Sequence, residues 1–294
     1  MKRKITNILI CLLFLVGLGI LVYPTVSDQW NKYRQSKLIT SYEEVIEELQ
    51  EEDFSLEWEK AESYNRTVVY NALYSDAFTN EDEEKLEETE YWQILNVTQN
   101  GVMGYLTIPK INVKLAVYHG VAEEVLQTGV GHIKGSNLPI GGETNHSVLA
   151  AHRGLPSAKL FTDIDQLQKG DMFYLHILDQ TFAYQVTKIY NMIDKDDADT
   201  LGEALAQREG EDLVTLFTCT PYGVNSHRLL VQGSRVEYVA EEEVETVSVP
   251  EAMLESVQNY YMIYLILGLS ITLLIIVIMK FIMRRSKKKD VKQK

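Results

Sequence analysis

The spacing of apolar and polar positions divides the chain into a helical part and a β-rich part. From residue 104 onward, short apolar and β-branched segments alternate with Gly, Pro and Asn, a pattern typical of an all-β barrel or sandwich. The predicted strands cover residues 104–108, 115–118, 147–151, 171–177, 180–191, 213–218 and 228–237. Short helices are predicted over 121–129 and 198–207, with a helical turn over 161–167.

Helical periodicity dominates the residues that precede this β-rich part. Four apolar residues recur at helical spacing among glutamates between residues 36 and 53: Leu38, Tyr42, Val45 and Leu49. This spacing predicts an amphipathic helix, and a second helix is predicted from residue 54 or 55 to 73. We therefore expect a helical extension over 24–102, followed by the β-rich domain over 103–240.

Two uncharged apolar runs, residues 5–22 and 260–279, are each long enough to cross a bilayer as a helix. Three basic residues precede the first run, and eight lie from Lys280 onward. By the positive-inside rule, both termini are expected in the cytoplasm and the middle of the chain outside. A cleaved signal peptide is the alternative for the first run. Its 18 residues and the absence of an Ala-x-Ala site favour a retained anchor over 1–23.

Charge separates the parts of the chain further. The formal net charge is −14, and most flanking charges are basic, so the part expected outside the membrane is more acidic still. Such a surface repels phosphates, which argues against a nucleic-acid partner. An acidic linker is expected over 241–259, then the second span over 260–279 and a basic cytoplasmic tail over 280–294.

Cysteine usage leaves one thiol outside the membrane. Cys11 lies in the first apolar run and Cys219 in the β-rich domain, so no disulfide between them and no Cys-rich metal site is expected. A Cys at the end of a strand is most often an inert core thiol. Reactivity requires a base or a cation nearby, because the thiolate is the nucleophile.

Such neighbours are predicted for Cys219. It ends an apolar strand, and a turn containing Pro221 and Gly223 leads into a second strand that begins at Arg228. If the two strands pair antiparallel, Cys219 and Arg228 lie at the same end of the sheet. The base is sought in the stretch H-S-V-L-A-A-H-R-G. His152 ends its apolar run, and His146 is the rival because the two share strand parity.

These stretches closely resemble the class C, pilus-assembling sortases of Gram-positive bacteria, from about residue 105 to 236. The motifs are T-L-F-T-C-T-P-Y-G and A-H-R-G-L-P, the latter G-H-R-G-L-P in the family. The resemblance implies a closed eight-stranded sortase β-barrel with short connecting helices, the helical extension and two flanking transmembrane helices. It also implies that Cys219 is the nucleophile, His152 exchanges protons and Arg228 stabilises the oxyanion or substrate. Thr218 is expected either to orient substrate or to pack.

The resemblance extends to a lid over the cleft. In the family an Asp-Pro-aromatic segment covers the active site, and Asp76-Ala77-Phe78, within residues 74–80, is similar to it with Ala in place of Pro. If the lid is present, Asp76 meets Arg228 and Phe78 shields Cys219. The alternative is that Phe78 is an ordinary packing residue of a linker.

The implied activity is that of a membrane-bound cysteine transpeptidase without a metal or organic cofactor. It would cleave an L-P-x-T-G-like sorting signal on an exported protein between Thr and Gly and pass the thioacyl group to a pilin Lys. One alternative is anchoring of proteins to a peptidoglycan amine. A peptidoglycan L,D-transpeptidase lacks support, since its S-H-G-C-type motif is absent. A non-catalytic adhesin gives no reason for Cys219, His152 and Arg228 to occur together.

Overall fold

Eight strands close into a barrel whose order in space departs from their order in the sequence. The structure, a computed structural model, describes residues 2–68 and 86–240. The strands are β1 (Val102–Ile108), β2 (Val113–His119), β3 (Val130–His132), β4 (Asn145–Ala150), β5 (Met172–Ile177), β6 (Gln180–Asp194), β7 (Asp212–Thr220) and β8 (His227–Val236). Their order around the barrel is β1-β2-β3-β4-β7-β8-β6-β5. The closed eight-stranded barrel expected from the family resemblance is confirmed.

Strand β7 has an unusual pair of neighbours. It pairs parallel with β4 on one edge and antiparallel with β8 on the other. Only β2–β3 and β4–β7 among the described pairs are parallel. A parallel neighbour requires a crossover, and here the crossover contains β5 and β6. Residues far apart in sequence therefore come to the same end of the sheet.

The sheet is apolar on both faces around β7. Leu216 and Val231 point into the barrel interior, whereas Phe217 and Leu230 join a second apolar cluster on the outside. This outer cluster is covered by α4 (Glu123–Leu126) and α5 (Ala198–Leu205). Because side chains alternate along a strand, Cys219 shares the outer face with Phe217. The thiol therefore lies at the edge of a covered apolar layer.

Three helices precede the barrel: α1 (Lys2–Glu48), α2 (Glu51–Thr67) and the short α3 (Glu90–Gln93). The predicted helix start at residue 36 is wrong, because α1 runs unbroken from the apolar run into the extension, with Pro24 inside it. The described part of the chain contains one helix long and apolar enough to cross a membrane, with a mean hydropathy of 2.3. The predicted lid (74–80), linker (241–259), second span (260–279) and basic tail (280–294) lie outside the described residues.

The C-terminal half of α1 packs on the barrel. Ile39 and Tyr42 are buried against Val102 of β1 and Ala116 of β2. The Tyr42 hydroxyl donates to the Met103 carbonyl (3.2 Å) and accepts the Leu178 amide (2.8 Å). Burial raises the pKa of Tyr42, so this hydroxyl stays protonated. The extension is thus packed against β1 and β2 and hydrogen-bonded to β1 and to a turn of the barrel.

The sequence pattern located seven of the eight strands, with ends that shift by up to three residues. The strand it missed is β3, which has only three residues and contains Gly131. A Cβ at Gly131 would lie 2.2 Å from the Gly120 carbonyl, so close backbone packing explains the glycine. The predicted helices over 121–129 and 198–207 are shorter in the structure. The predicted turn at 161–167 is a 3₁₀ helix over Ile164–Gln166.

Replacing Tyr42 by Phe tests the packing of α1. It removes the acceptor of the Leu178 amide while leaving the ring in place, so we expect a loss of about 1–3 kcal/mol in the free energy of unfolding. The measurement is chemical denaturation of the full chain in detergent. Tyr33→Phe is the matched control, since Tyr33 is 55% exposed on the same helix. Equal stability of the two variants would contradict this account.

Candidate active site

Cys219 and Arg228 lie directly opposite each other on β7 and β8. The loop between the strands is tight, because the amides of Val224 and Asn225 both donate to the Pro221 carbonyl. Asn225 has a φ of 60°, a left-handed conformation that Asn tolerates better than most residues. The antiparallel pairing predicted from the sequence is confirmed, and it places a thiol beside a guanidinium.

The guanidinium of Arg228 is fixed by its own loop. The side chain is buried, and its Nη1 donates to the carbonyls of Asn225 and His227, both at 2.9 Å. A buried cation is stable only with such partners, since loss of hydration costs several kcal/mol. Arg228 therefore presents a fixed positive charge at the end of the sheet where Cys219 lies.

His152 reaches the same end through β4. The register of β4 and β7 runs to Ala150 opposite Phe217, and the Ala151 amide then donates to the Phe217 carbonyl (3.2 Å). The Thr218 hydroxyl donates to the Ala151 carbonyl (2.7 Å). These bonds carry the chain alongside β7 up to His152. Three strands therefore bring Cys219, His152 and Arg228 together.

Thr218 is fully buried, and its hydroxyl is bonded to Ala151. The sequence left open whether this residue orients substrate or packs. The observed bond favours packing, since it ties β7 to the segment that leads to His152. A role in substrate binding stays a prediction.

The imidazole of His152 lies beside a carboxylate that the sequence pattern did not reveal. Its Nε2 is 3.4 Å from Oε2 of Glu123, the first residue of α4, and the His152 side chain is 21% exposed. Glu123 lies 29 residues upstream in a segment predicted only as a helix. No local motif marks it, so only the fold could show this pairing.

His146, the rival base, has a structural place. Its Nδ1 bonds the Ala206 carbonyl (2.9 Å) and its Nε2 the Thr215 hydroxyl (2.8 Å), so it ties β4 to β7 and to the end of α5. Burial lowers the pKa of His146 to about 4, which keeps the ring neutral near pH 7. Strand parity could not separate the two histidines. The contacts of the rings favour His152.

Arg153 is a further site residue that the sequence analysis did not single out, although it lies in the H-R-G motif. Its Nε donates to the Thr162 carbonyl (3.2 Å) and its Nη1 to the Thr220 hydroxyl (3.0 Å), and it pairs with Asp165. Arg153 follows His152 and Thr220 follows Cys219, so this bond links the two segments that carry the imidazole and the thiol. The adjoining cleft has a volume of about 250 Å³ and is lined by Arg153, Asp165, Asn191, Met192, Thr220, Pro221, Tyr222 and Leu229.

The glycine of the H-R-G motif, Gly154, is required by its backbone conformation and by a close neighbour. Its φ is +87°, and a Cβ there would lie 3.1 Å from the ring of Tyr222. A side chain would be strained by the backbone and crowded by the ring. Glycine therefore allows the loop after His152 to lie against the loop between β7 and β8.

The site has the parts that nucleophilic chemistry needs. A thiol, a fixed cation and an imidazole lie at one end of the sheet. Their neighbours in the chain, Arg153, Thr220 and Leu229, line the cleft. The Cys219 side chain is 5% exposed, so a substrate must gain access to the sulfur. Within residues 2–68 and 86–240, no group of three His, Cys, Asp or Glu side chains is spaced to hold a metal ion.

Comparison with known proteins assigns the fold and site to a family. The family model described as the Sortase domain matches residues 106–236. Sortase C of Streptococcus pneumoniae, studied for its catalysis and pilin substrate specificity, is 40% identical with a TM-score of 0.62. The match covers 69% of this chain and 98% of that one. The chain belongs to the sortase family.

Two further sortases resemble the chain. Sortase C1 of Streptococcus agalactiae is 41% identical, with a TM-score of 0.59 and coverage of 69% of this chain and all of that one. Sortase D of Bacillus subtilis is 35% identical over 136 residues, which are 45% of this chain and 63% of that protein. Both of these similar solved structures are class C enzymes, as the resemblance implied. Members of the family are cysteine transpeptidases.

The buried histidines predict how the stability of this sortase depends on pH. Burial lowers the pKa of His146 to about 4 and that of His132 to about 3, whereas an unfolded His titrates near 6.5. Between these values only the unfolded state takes up the proton, so stability falls as pH drops below 6.5. Each His should cost about 1.4 kcal/mol per pH unit until its folded pKa is reached.

The measurement is the free energy of unfolding between pH 7 and 5 for the wild type and for His146→Gln. We expect a shallower slope in the variant, whatever its absolute stability, because it removes one of the three buried rings whose pKa burial lowers, those of His119, His132 and His146. His227→Gln is the control, since His227 is the first residue of β8 and is partly exposed. An unchanged slope in His146→Gln would refute the assignment of this ring as buried and neutral.

Proposed function

We propose that this sortase is a membrane-bound cysteine transpeptidase that cleaves an L-P-x-T-G-like sorting signal between Thr and Gly and transfers it to an amine. The observation that carries the proposal is the register of three strands. Cys219 lies opposite Arg228, and the bonds of Ala151 to β7 bring His152 alongside. The motifs around these residues supply the expected substrate.

In the first step the sulfur of Cys219 attacks the carbonyl carbon of the substrate Thr. The C–N bond to Gly breaks, a thioester forms, and the leaving amine takes a proton from His152. Arg228 donates to the oxygen on which negative charge develops. A fixed donor in a dry site is worth a few kcal/mol of transition-state stabilisation.

In the second step an amine attacks the thioester carbonyl and gives up a proton to His152. The C–S bond breaks, Cys219 leaves as the thiolate, and a new amide bond forms. No outside oxidant or cofactor is needed to balance either step. Oε2 of Glu123 lies 3.4 Å from Nε2 of His152 and is placed to hold the orientation of the imidazole through both steps.

A Lys side chain of a pilin is the amine that we propose. The class of the similar solved structures supports it, and the Streptococcus pneumoniae enzyme has pilin substrate specificity. Transfer to a peptidoglycan amine is the competing outcome. Both acceptors would reach the enzyme outside the cytoplasmic membrane.

The location that we propose is the cell membrane, with the catalytic domain outside and both termini in the cytoplasm. Helix α1 supports the first crossing by its length and hydropathy. The basic residues at both ends of the chain favour this orientation. Exported substrates with anchors of their own would then meet the enzyme in the plane of the membrane.

Mass spectrometry of the full chain in detergent tests this chemistry. Incubation with an L-P-x-T-G peptide library should give a thioacyl adduct on Cys219 that passes to an added Lys amine. Cys219→Ala should abolish the adduct, and His152→Ala and Arg228→Ala should each lower its rate by about 100-fold or more. Lys188→Ala, a cation of β6 stacked on Tyr190, is the control and should not change the rate.

The acceptor and the chemistry are judged separately. An adduct that passes to diaminopimelate or a peptidoglycan stem peptide, and not to a pilin Lys, would replace pilus assembly with wall anchoring. An adduct that persists in Cys219→Ala would reject Cys219 as the nucleophile.

The lid is part of the proposal and has its own test. We propose, from the family resemblance alone, that Asp76 and Phe78 belong to a segment that limits access to Cys219. Phe78→Ala should then raise the rate at which a small thiol reagent labels Cys219 by about tenfold. Thr79→Ala is the control in the same stretch. Equal labelling rates would leave Phe78 as a packing residue of a linker.

A further inference from the structure

The segment that leaves His152 is a loop closed at its base. The Phe161 amide donates to the carbonyl of His152 itself (3.2 Å). Further out, Leu155 and Ala158 form a bridge that narrows the loop. The backbone of His152 is therefore held on one side by the strands and on the other by this loop. Any contact that fixes the loop also restrains His152.

The tip of this loop rests on α1. The Lys159 amide donates to Oδ1 of Asp28 (2.8 Å). The Ser27 hydroxyl lies within hydrogen-bond distance of the Pro156 carbonyl (3.0 Å) and shares its one proton with the Tyr23 carbonyl of its own helix (2.8 Å). The Asp28 side chain is 14% exposed, and its Oδ2 is 3.2 Å from the Lys32 ammonium. A charged acceptor on a backbone amide makes a stronger bond than a neutral one. Two consecutive residues of α1 thus bind both arms of the loop tip.

These two residues lie where α1 leaves the apolar run. Asp28 is six residues beyond Val22, the last residue of that run, or about 9 Å along a helix axis. Trp30 and Tyr33 follow on exposed positions, 62% and 55% exposed. Trp and Tyr favour the boundary between lipid and water. The contact between α1 and the loop is therefore made at the level expected for the lipid headgroups.

We propose that Ser27 and Asp28 are positioning residues for His152: through the loop tip, the membrane-proximal part of α1 holds the catalytic imidazole in place. The proposal rests on the proposed function in one respect, the role of His152. It adds that α1 is both an anchor and a support of the site. Anchoring and catalytic geometry then depend on the same helix.

The test uses the full chain in phospholipid nanodiscs with three variants. Asp28→Ala removes the acceptor of the Lys159 amide. Asp28→Asn keeps an acceptor oxygen at that position while losing the charge. Gln29→Ala is the control, because Gln29 is the exposed next residue on the same helix.

Two readouts separate docking from catalysis. Amide hydrogen exchange over residues 153–161 should rise about tenfold in Asp28→Ala, with the exchange of β7 and β8 unchanged. The kcat for transfer to an amine should fall about 10- to 100-fold at nearly constant KM, since a misplaced group slows the chemical step. Asp28→Asn should recover most of both, and Gln29→Ala should match the wild type.

Each remaining outcome overturns part of the scheme. Unchanged exchange in Asp28→Ala would reject docking of the loop on α1. Raised exchange with an unchanged kcat would reject the positioning of His152. If the wild type transfers nothing to any amine, the proposed function is rejected. The hydrogen-exchange data would still decide whether the loop docks on α1.

Discussion

Strand β7 is hydrogen-bonded on both edges, and every group that we assign to chemistry takes its place from those bonds. On the β8 edge, the register sets Cys219 opposite Arg228. On the β4 edge, it sets Ala150 opposite Phe217 and leads the chain to His152. A slip of one residue in either ladder would turn the thiol to the opposite face of the sheet. The many backbone bonds of a closed barrel therefore define the geometry of three side chains.

The outer face of the barrel determines the surroundings of this geometry. Phe217 and Leu230 lie two residues before Cys219 and two residues after Arg228, and both are buried beneath α5 and α4. Water is thereby kept from one side of the reacting groups, which strengthens the field of the guanidinium on a developing charge. The same short α4 that helps to cover this layer carries the carboxylate beside His152. Helix α4 therefore shields the outer apolar cluster from water and also supplies the negative charge next to His152.

The sequence alone predicted those contacts of the site that join residues close together in the chain. Cys219 and Arg228 are nine residues apart across a turn, so their pairing could be inferred from strand and turn patterns. Strand parity could not choose between His146 and His152; the motif resemblance favours His152, and the bond of His146 to the end of α5 supports that choice. Glu123 was missed because it comes from a distant helix. The continuity of α1 was missed because the face of residues 24–35 that packs on the barrel is polar. Asn31 and Gln35 are buried there, and both donate to the Thr128 carbonyl.

Because Arg228 is buried, substitutions at this position are expected to affect stability and activity in opposite directions. Arg228 is 3% exposed, and removing a permanent charge from water opposes folding even when backbone carbonyls accept hydrogen bonds from it. An apolar residue of similar volume at this position would favour the folded state and remove the group that we propose as oxyanion donor. Selection for thermal robustness and selection for turnover therefore act in opposite directions here. Stabilising substitutions in this enzyme are better sought on the far side of the barrel, away from the carboxyl end of β7.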